Sequence, residues 1–351
     1  MSIKNAAGDQ VRLNVKNDQT YTLTAALAFT TLGPAVMQGY TTSPGDLGRA
    51  SFTSNLTSAS NFTMATSPAA FLDLDFASTA GSSTRDVFVN SADGAVFMRC
   101  VFHGGRGAGL SDSSRFVVCI ECEAYDCNKN NSASVGGFIK GGSNIAVGFF
   151  YNCYSHDHGG SNGNCFVGSS GSAGQGMILV NCIADTGAGL GLLMNTTATA
   201  MPLVSINSNY YNNTSDGIRI SAAAGLPWSV FINNNFLKNG GSAINNTVTS
   251  TGGILYNNGR GAGSQANTSA DVLQSILDTS TDITYASGDT PWTAPTTGNF
   301  TTIPTSAARS AGRGAFTETD GTNTGTVAYP DIGAAQALVT PELRIPSIAS
   351  V

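Results

Sequence analysis

Charged residues are scarce in this chain, and the shortage excludes some classes of architecture. Asp, Glu, Lys and Arg make up 11% of the sequence, against roughly 25% in ordinary globular domains. Glu and Lys number only 4 and 5, although exposed helix faces are built largely from them. The composition therefore argues against a compact α/β enzyme and favours turns, because Gly, Asn and Asp are plentiful.

Basic clusters and long apolar runs are missing as well. The formal net charge is −6, and no run of Lys and Arg offers the electrostatic footprint of a nucleic-acid binder. No segment approaches the roughly 18 consecutive apolar residues of a membrane-spanning helix, so we predict no membrane insertion. The first residues lack the apolar core of a signal peptide. We expect a protein that stays in the cell, leaves it by lysis, or has had its signal removed.

The chain does contain a repeated phrase of alternating apolar and polar residues, typical of β-strands with one buried face. Copies occupy residues 96–102, 119–125, 150–156, 180–185, 205–210 and 231–236. Their alignment places six residues in one column: Cys100, Cys122, Cys153, Cys182, Ser208 and Asn234. Successive members lie 22, 31, 29, 26 and 26 residues apart. Such a period predicts a solenoid of stacked strand-and-turn units, called rungs below.

The alternation also predicts which side chains point into the coil. Inward positions are predicted for Met98, Ile120, Tyr151, Val180, Ile206 and Ile232, and for Phe102, Ala124, Ser155, Ala184, Tyr210 and Phe236. Arg99 and Glu121 are predicted to point outward and to form a surface pair. The column cysteines would have parallel Cβ vectors, which is poor disulfide geometry, so we predict free, buried thiols. Cys119 and Cys122 lack a second Cys pair at zinc-site spacing, so we predict no metal and no cofactor.

The chain divides into three predicted parts. We expect an N-terminal cap with the first strands at 1–69, β-helix rungs at 70–262, and an irregular capping or assembly segment at 263–351. The stretch 25–29 is interpreted as a short helix. Each rung is predicted to contain a second short strand, and insertions at 126–136 and 157–164 lengthen the turn before it. Insertions in one turn map to one face of a solenoid, often its working face.

The residues that could carry chemistry gather in that turn. His156 aligns with His103, Tyr125, Asp185 and Tyr211, and Asp157 aligns with Asp126 in the next column. Two carboxylates stacked about 5 Å apart could serve as acid and base in glycoside cleavage. The candidate catalytic residues are therefore Asp126, Asp157, His156 and His103. The candidate substrate-binding residues are Arg106 and Lys129, for an acidic sugar, and Tyr125, Tyr154 and Tyr211, for stacking on sugar rings. The alternative is a solvated turn whose polar side chains bond to nearby backbone.

These features resemble the right-handed parallel β-helix proteins of the pectate-lyase-like superfamily. The rung pattern covers about 70–260. The phrase Gly39-Tyr-Thr-Thr-Ser-Pro-Gly-Asp-Leu-Gly-Arg-Ala50 looks like the family's opening segment, and Tyr329-Pro-Asp-Ile-Gly-Ala-Ala-Gln336 looks like its closing one. The resemblance implies an all-β right-handed parallel β-helix (solenoid) with an N-terminal cap and an irregular C-terminal segment. It does not decide the function, because the fold serves lyases, hydrolases, adhesins and phage virion proteins alike.

The missing signal peptide turns the interpretation toward the phage branch of that family. We expect a structural virion protein (head decoration, spike or tail), made in the host cytoplasm. The resemblance implies a homotrimer, with other virion proteins and a host surface polysaccharide as candidate partners. One alternative is a polysaccharide-degrading hydrolase or lyase acting through Asp126, Asp157 and His156. The other is an adhesin at the bacterial cell surface. Against an enzyme, the chain lacks the paired Asp and the Gly-His-Gly of polygalacturonases and the clustered Asp of calcium-dependent pectate lyases.

Overall fold

Three parallel sheets wind around one core in the computed structural model. The structure describes residues 2–3, 11–29, 34–56, 61–65, 69–79, 85–132, 134–142, 145–170, 174–196, 202–221, 229–246, 253–256, 258–261, 276–278, 283–286, 291–303, 305–306 and 308. Within them, sheet A has 10 strands and sheets B and C have 11 each. Neighbouring strands come from successive turns of the chain and pair in parallel. The predicted right-handed parallel β-helix is thus confirmed.

The strands are numbered in chain order. Sheet A contains β1 (Ser2–Ile3), β4 (Leu27–Phe29), β7 (Phe62–Met64), β10 (Phe88–Asn90), β13 (Leu110–Asp112), β16 (Gly136–Lys140), β19 (Asn164–Ser170), β22 (Leu192–Thr196), β25 (Ile218–Ile220) and β28 (Ile244–Asn246). Sheet B contains β2 (Val11–Lys16), β5 (Ala35–Tyr40), β8 (Ala69–Leu72), β11 (Ala95–Met98), β14 (Phe116–Ile120), β17 (Ala146–Tyr151), β20 (Gln175–Val180), β23 (Leu203–Ile206), β26 (Ser229–Ile232), β29 (Gly253–Tyr256) and β31 (Ile276–Asp278). Sheet C contains β3 (Tyr21–Leu23), β6 (Ala50–Ser54), β9 (Leu74–Ser78), β12 (Val101–His103), β15 (Glu123–Tyr125), β18 (Tyr154–His156), β21 (Ile183–Asp185), β24 (Asn209–Tyr211), β27 (Asn235–Leu237), β30 (Gly259–Gly261) and β32 (Ile283–Tyr285).

Each repeated phrase is two strands rather than one, so a rung has three strands. In the rung of Cys100, β11 belongs to sheet B and β12 to sheet C. The bend between them passes through Arg99, whose φ of 52° lies in the left-handed region. The equivalent bend residues in five later rungs share this conformation: Glu121, Asn152, Asn181, Asn207 and Asn233. Asn and Asp tolerate the left-handed region better than most residues, which explains why Asn dominates the column.

The bend corrects one prediction about the interior. A residue in the left-handed conformation interrupts the alternation of side chains. The residue before it and the residue after it therefore point to opposite sides of the sheet, one outward and one into the core. The Met98 column (Met98, Ile120, Tyr151, Val180, Ile206 and Ile232) therefore lies on the outer face of sheet B and is partly exposed. The inward neighbours are Phe97, Cys119, Phe150 and Leu179, which are buried. The direct partner of Arg99 is Asp73 of the preceding rung, at 2.6 Å, and Glu121, its predicted partner, attracts it at longer range.

The cysteine column is buried, as predicted, and it also donates hydrogen bonds. Cys122 Sγ donates to the carbonyl of Phe97 at 3.3 Å, and Cys153 Sγ donates to that of Cys119 at 3.4 Å. Further along the column, where Ser and Asn replace Cys, Ser208 Oγ accepts a hydrogen bond from the N–H of Cys182 at 3.1 Å. The column thus satisfies backbone groups at the bend, which an apolar residue could not do.

The regular pairing begins upstream of residue 70. Strands β2 to β7 already pair in register within the three sheets, so the segment predicted as a cap contributes solenoid strands. The stretch predicted as a short helix contains strand β4 instead. In the opening phrase, Asp46 accepts the N–H groups of Thr41, Thr42, Ser43 and Gly48. The phrase is therefore a folded turn, and its Asp is structural. The boundaries at 70 and 262 stay predictions, and the closing phrase lies outside the described residues.

A short antiparallel pair, β33 (Trp292–Ala294) and β34 (Asn299–Thr302), follows the rungs. One 3₁₀ turn, Pro295–Thr297, connects the two strands. Trp292 and Phe300 pack on the outer face of sheet C against Ile183 and Tyr211. In the described part of the chain, no helix is long and apolar enough to cross a membrane.

Candidate functional site

The candidate site lies on the outer face of sheet C and in the turns that follow its strands. Register pairs His103 with Tyr125, Tyr125 with His156, and His156 with Asp185. The alignment of these residues predicted from sequence is confirmed. The next outward column, one pleat earlier, contains Glu123 beside Tyr154.

Stacked rings form the centre of this face. The ring centroids of His103 and Tyr125 are 4.6 Å apart, and those of Tyr125 and His156 are 5.4 Å apart. Tyr154 stacks on His156 at 4.0 Å. In-register parallel strands lie about 4.8 Å apart, so like side chains stack along the axis. Both faces of the Tyr125 ring are consequently occupied by imidazoles. The ring offers its edge to a ligand, whereas the predicted stacking on a sugar needs a free face.

His156 is held between two carboxylates. Its Nε2 lies 3.0 Å from Glu123 Oε1, and its Nδ1 lies 2.8 Å from Asp157 Oδ2. Burial lowers the pKa of His156, but the two carboxylates outweigh burial and raise it. The pKa of Asp157 is lowered, because hydrogen bonds from His156 and Thr186 outweigh its partial burial. The imidazolium and its two anionic neighbours therefore stabilise one another. Glu123, His156 and Asp157 are called the His156 cluster below.

A second imidazole–carboxylate pair stands two rungs away. His103 Nε2 lies 3.0 Å from Asp75 Oδ1, and the two side chains are each 24% exposed. Ser51 Oγ donates to the other oxygen of Asp75 at 3.2 Å. The open face thus presents imidazole nitrogens and carboxylate oxygens on both sides of Tyr125.

Asp126 and Asp157 occupy equivalent turn positions, both in the left-handed region with φ of 53° and 51°. Their carboxylates have different partners. Asp126 Oδ2 binds Lys129 Nζ at 2.6 Å, whereas Asp157 binds His156 and accepts the hydroxyl of Thr186 at 2.7 Å. The structure therefore brings Asp157 and His156 together and directs Asp126 toward Lys129. Arg106 lies in the turn of the preceding rung, where its carbonyl accepts the N–H of Asn130 at 3.1 Å.

His158 is buried and has a structural role. Its Nδ1 accepts the N–H of Cys127 at 3.3 Å, so the proton of the neutral ring resides on Nε2. That nitrogen lies 2.8 Å from Ser155 Oγ, which in turn donates to the carbonyl of Cys165 at 2.9 Å. Burial lowers the pKa of His158 to about 3. The ring stays neutral and links the turn of the preceding rung to β18, and the Ser155 hydroxyl extends the link to β19.

Two acidic residues of the site were missed by sequence reasoning. Glu123 lies in the outward column two residues before the aligned histidines, outside the turn in which candidate residues were predicted. The alternating pattern of β15 could have identified it, because it places Glu123 and Tyr125 on the same outer face. Asp185 is 3% exposed, and burial raises its pKa to about 7 although the Tyr154 hydroxyl donates to it at 3.2 Å. The sequence has no signal for that burial, because distant residues provide it.

The C-terminal pair of strands covers part of the face. The Tyr211 ring packs edge-on against Trp292 at 5.4 Å and against Phe300 at 5.7 Å. Tyr211 is 1% exposed, so the face predicted to stack on sugars is occupied by the protein itself. The Tyr154 ring also meets Phe300, at 6.3 Å. The covered region therefore ends beside the His156 cluster, where the Asp157 side chain is 65% exposed.

Among the comparisons with known proteins, one solved structure supports the architecture. No family model matches the sequence, and no curated protein matches it. Among solved structures, pectate lyase Pel9A superposes with a TM-score of 0.63 and 17% identity, over 92% of this chain and 87% of that one. The A-module of the mannuronan C-5 epimerase AlgE4 from Azotobacter vinelandii superposes with a TM-score of 0.48 and 15% identity, over 80% and 74%. The phage part of the resemblance stays a prediction. What is shown is the fold: the chain is a parallel β-helix similar to that of pectate lyase Pel9A.

Proposed function

We propose that this protein is a polysaccharide-cleaving enzyme that acts through the His156 cluster. The observation that supports the proposal is the partly buried imidazole held between two carboxylates, one of them well exposed, beside a row of ring edges that offer hydrogen-bonding atoms. The fold adds support, because the pectate lyase that superposes on the chain acts on a polysaccharide by its name. Fold alone does not decide function, so the main support comes from the geometry of the cluster.

The spacing of the cluster favours hydrolysis with inversion. The two hydrogen bonds and the imidazole between them place the nearest oxygens of Glu123 and Asp157 roughly 7–8 Å apart, within the span of about 6.5–9.5 Å used by inverting glycosidases. Because the imidazole fills the line between the two carboxylates, the sugar would lie across the outer edge of the ring. Asp157 takes a proton from water as the water oxygen bonds to the anomeric carbon. The bond from that carbon to the glycosidic oxygen breaks, and this oxygen takes a proton from Glu123, which receives it from the His156 imidazolium. The neutral His156 then recovers a proton from Asp157, and the starting charges are restored.

The charges on the open face favour a neutral polysaccharide over a polyuronate. Asp75, Glu123 and Asp157 present carboxylates there, and the ammonium of Lys129 is already engaged by Asp126. Like charges brought together at an interface cost free energy unless they are compensated. Binding of an acidic sugar by Lys129, one of the predictions from sequence, would require breaking that ion pair.

The proposal is tested by incubating the protein with neutral polysaccharides (xylan, mannan, β-glucan) and acidic ones (pectate, alginate) and measuring new reducing ends. We expect cleavage of a neutral polymer with an inverted anomeric product by NMR. Asp157→Asn and Glu123→Gln should each lower the rate by about 100-fold or more. Asp126→Asn, one rung away in the same turn, is the matched control and should retain activity. No cleavage by the wild type, or equal loss in Asp126→Asn, would contradict the proposal.

One observation supports an assembly role, which the sequence analysis predicted first as a structural virion protein. The outer face of sheet B is apolar over several rungs, for example at Val96, Val118 and Phe149. Large apolar faces of this kind are usually covered in assemblies. Placement of the protein on a virion or a cell surface stays a prediction. Immunogold labelling of purified particles would test it, and unlabelled particles would refute the virion placement.

A further inference from the structure

The outer face of sheet B is apolar where solvent would favour polar side chains. Two outward columns run along it. One is the Met98 column defined above, and the other is Val96, Val118, Phe149, Ile178, Val204 and Val230, paired in register. These positions are partly exposed, and Tyr151 is 37% exposed. Parallel strands have apolar side chains on both faces when both faces of the sheet are covered. The pattern of sheet B therefore indicates that its outer face is covered.

The face is large enough to form the core of an interface. Ala70 and Leu72 extend it to one end and Ile254 to the other, so eight strands take part. Eight strands about 4.8 Å apart and about 13 Å long present roughly 500 Å² of flat area. Monomers seldom expose contiguous apolar patches beyond a few hundred Å². A standard interface buries about 800 Å² per partner, with an apolar core and a polar rim.

Polar groups border the face on both sides, as an interface rim would. Along one edge the bend asparagines form a ladder in which Asn207 Nδ2 donates to Asn181 Oδ1 at 3.1 Å. Along the other edge Arg115 binds Asp93 at 2.6 Å, with both side chains well exposed. At the N-terminal end, β2 turns Arg12 and Asn14 outward, which ends the apolar surface.

We propose that this face binds the same face of a second copy of the chain, in a two-fold dimer. The columns contain no charge and, Tyr151 apart, no side-chain hydrogen-bonding group, so a charged or polar partner would gain nothing from them. Two sheet faces of this kind pack about 10 Å apart with interdigitating side chains. A surface that binds itself forms an isologous contact, which closes as a dimer. The inference does not depend on the proposed enzyme activity, because the strands of the His156 cluster belong to sheet C.

The dimer is tested by light scattering of the full chain during gel filtration at micromolar concentration. One chain has a mass of 35.8 kDa, so two chains give about 72 kDa. We expect that mass for the wild type and the monomer mass for Val204→Lys, which places a charge in the middle of the face. Val89→Lys is the matched control, because Val89 is an outward, partly buried valine at the centre of a sheet A strand, and it should stay dimeric.

Each other outcome would overturn the inference. A monomeric wild type would show that the face does not self-associate, and a trimer would rule out the two-fold arrangement. If Val89→Lys dissociates as readily as Val204→Lys, the contact lies elsewhere. If the wild type is monomeric and a chain ending at residue 308 dimerises, the chain's own last residues cover the face. Circular dichroism of Val204→Lys separates dissociation from misfolding, and a second variant, Ile178→Glu, gives an independent measurement.

Discussion

Lys140 lies wholly inside the solenoid, and its replacement provides a sharp test of how the interior is held together. Its Nζ binds Asp112 Oδ2 at 2.7 Å, and the two side chains are 0% and 1% exposed. The ammonium also donates to the carbonyl of Ser114, while Asp112 accepts from the Ser114 hydroxyl at 2.8 Å and from the Asn90 amide. The carbon chain of Lys140 passes close to Gly148, where the missing side chain leaves room.

Lys140→Met removes one partner and leaves Asp112 buried without its counter-ion. Breaking a buried pair in this way costs about 3–5 kcal/mol. With an unfolding entropy of roughly 2.1 cal/mol/K per residue, a chain of this length should lose about 4–7 °C in melting temperature. Replacing both residues, as Lys140→Met with Asp112→Leu, removes the unpaired charge and should recover most of that loss. The surface change Lys129→Met breaks a half-exposed pair, worth at most about 1 kcal/mol, so it should shift the melting temperature by less than about 2 °C.

Thermal unfolding followed by circular dichroism or scanning calorimetry measures all four proteins. We expect a large loss in the single variant, a smaller loss in the double variant and almost none in the surface control. A single variant as stable as the wild type would refute the claim that the charges are mutually dependent. A double variant less stable than the single would show that the network contributes net stability rather than avoiding an unpaired charge.

Three further predictions follow from the geometry. Because the pKa of His156 is raised in the folded protein, its contribution to stability is complete at pH below the unfolded-state pKa and is lost as the pH rises through the folded-state pKa. NMR titration of His156 should measure the raised pKa, and Glu123→Gln should lower it. An unchanged pKa in that variant would contradict the assigned contacts. The seven cysteines are free and buried, and burial raises the pKa of Cys127 to about 12, so a thiol reagent should label almost none in native protein and all in denaturant; rapid native labelling would refute the buried column. A Cβ added at Gly39 would lie 2.0 Å from the carbonyl oxygen of Asp73, so Gly39→Ala should unfold at a clearly lower denaturant concentration. Gly159→Ala, whose added Cβ would meet its nearest atom at 3.4 Å, should lose much less. Equal losses would contradict the close approach.

The register of the coil could be predicted because in-register stacking imposes it on the residue pattern. Alignment of the repeated phrases brought His103, Tyr125 and His156 into one column, and the sheet pairs them so. The inward assignment of Met98 and its column failed, because Arg99 adopts a left-handed conformation that simple alternation does not anticipate. The bulky apolar residues of that column then became the outer face of sheet B.

The candidate site could be predicted only in part, because its members meet through contacts between rungs. Asp157 and His156 are neighbours in sequence, but Glu123 reaches the same imidazole from the preceding rung. Tyr211 was a reasonable candidate by alignment, yet Trp292 and Phe300 cover its ring. A local sequence pattern does not indicate which distant segment of the chain packs over a given strand.

The sequence by itself determined the coil, its register and the burial of the cysteine column, because these follow from a period that every rung repeats. Tertiary structure alone decided which aligned side chains meet solvent. Lys140 shows the difference: its sequence context is an ordinary strand end, and only the winding of the chain places its ammonium against Asp112 in the interior. Exposure and charge pairing depend on contacts between rungs, and the geometry of the His156 cluster depends on both.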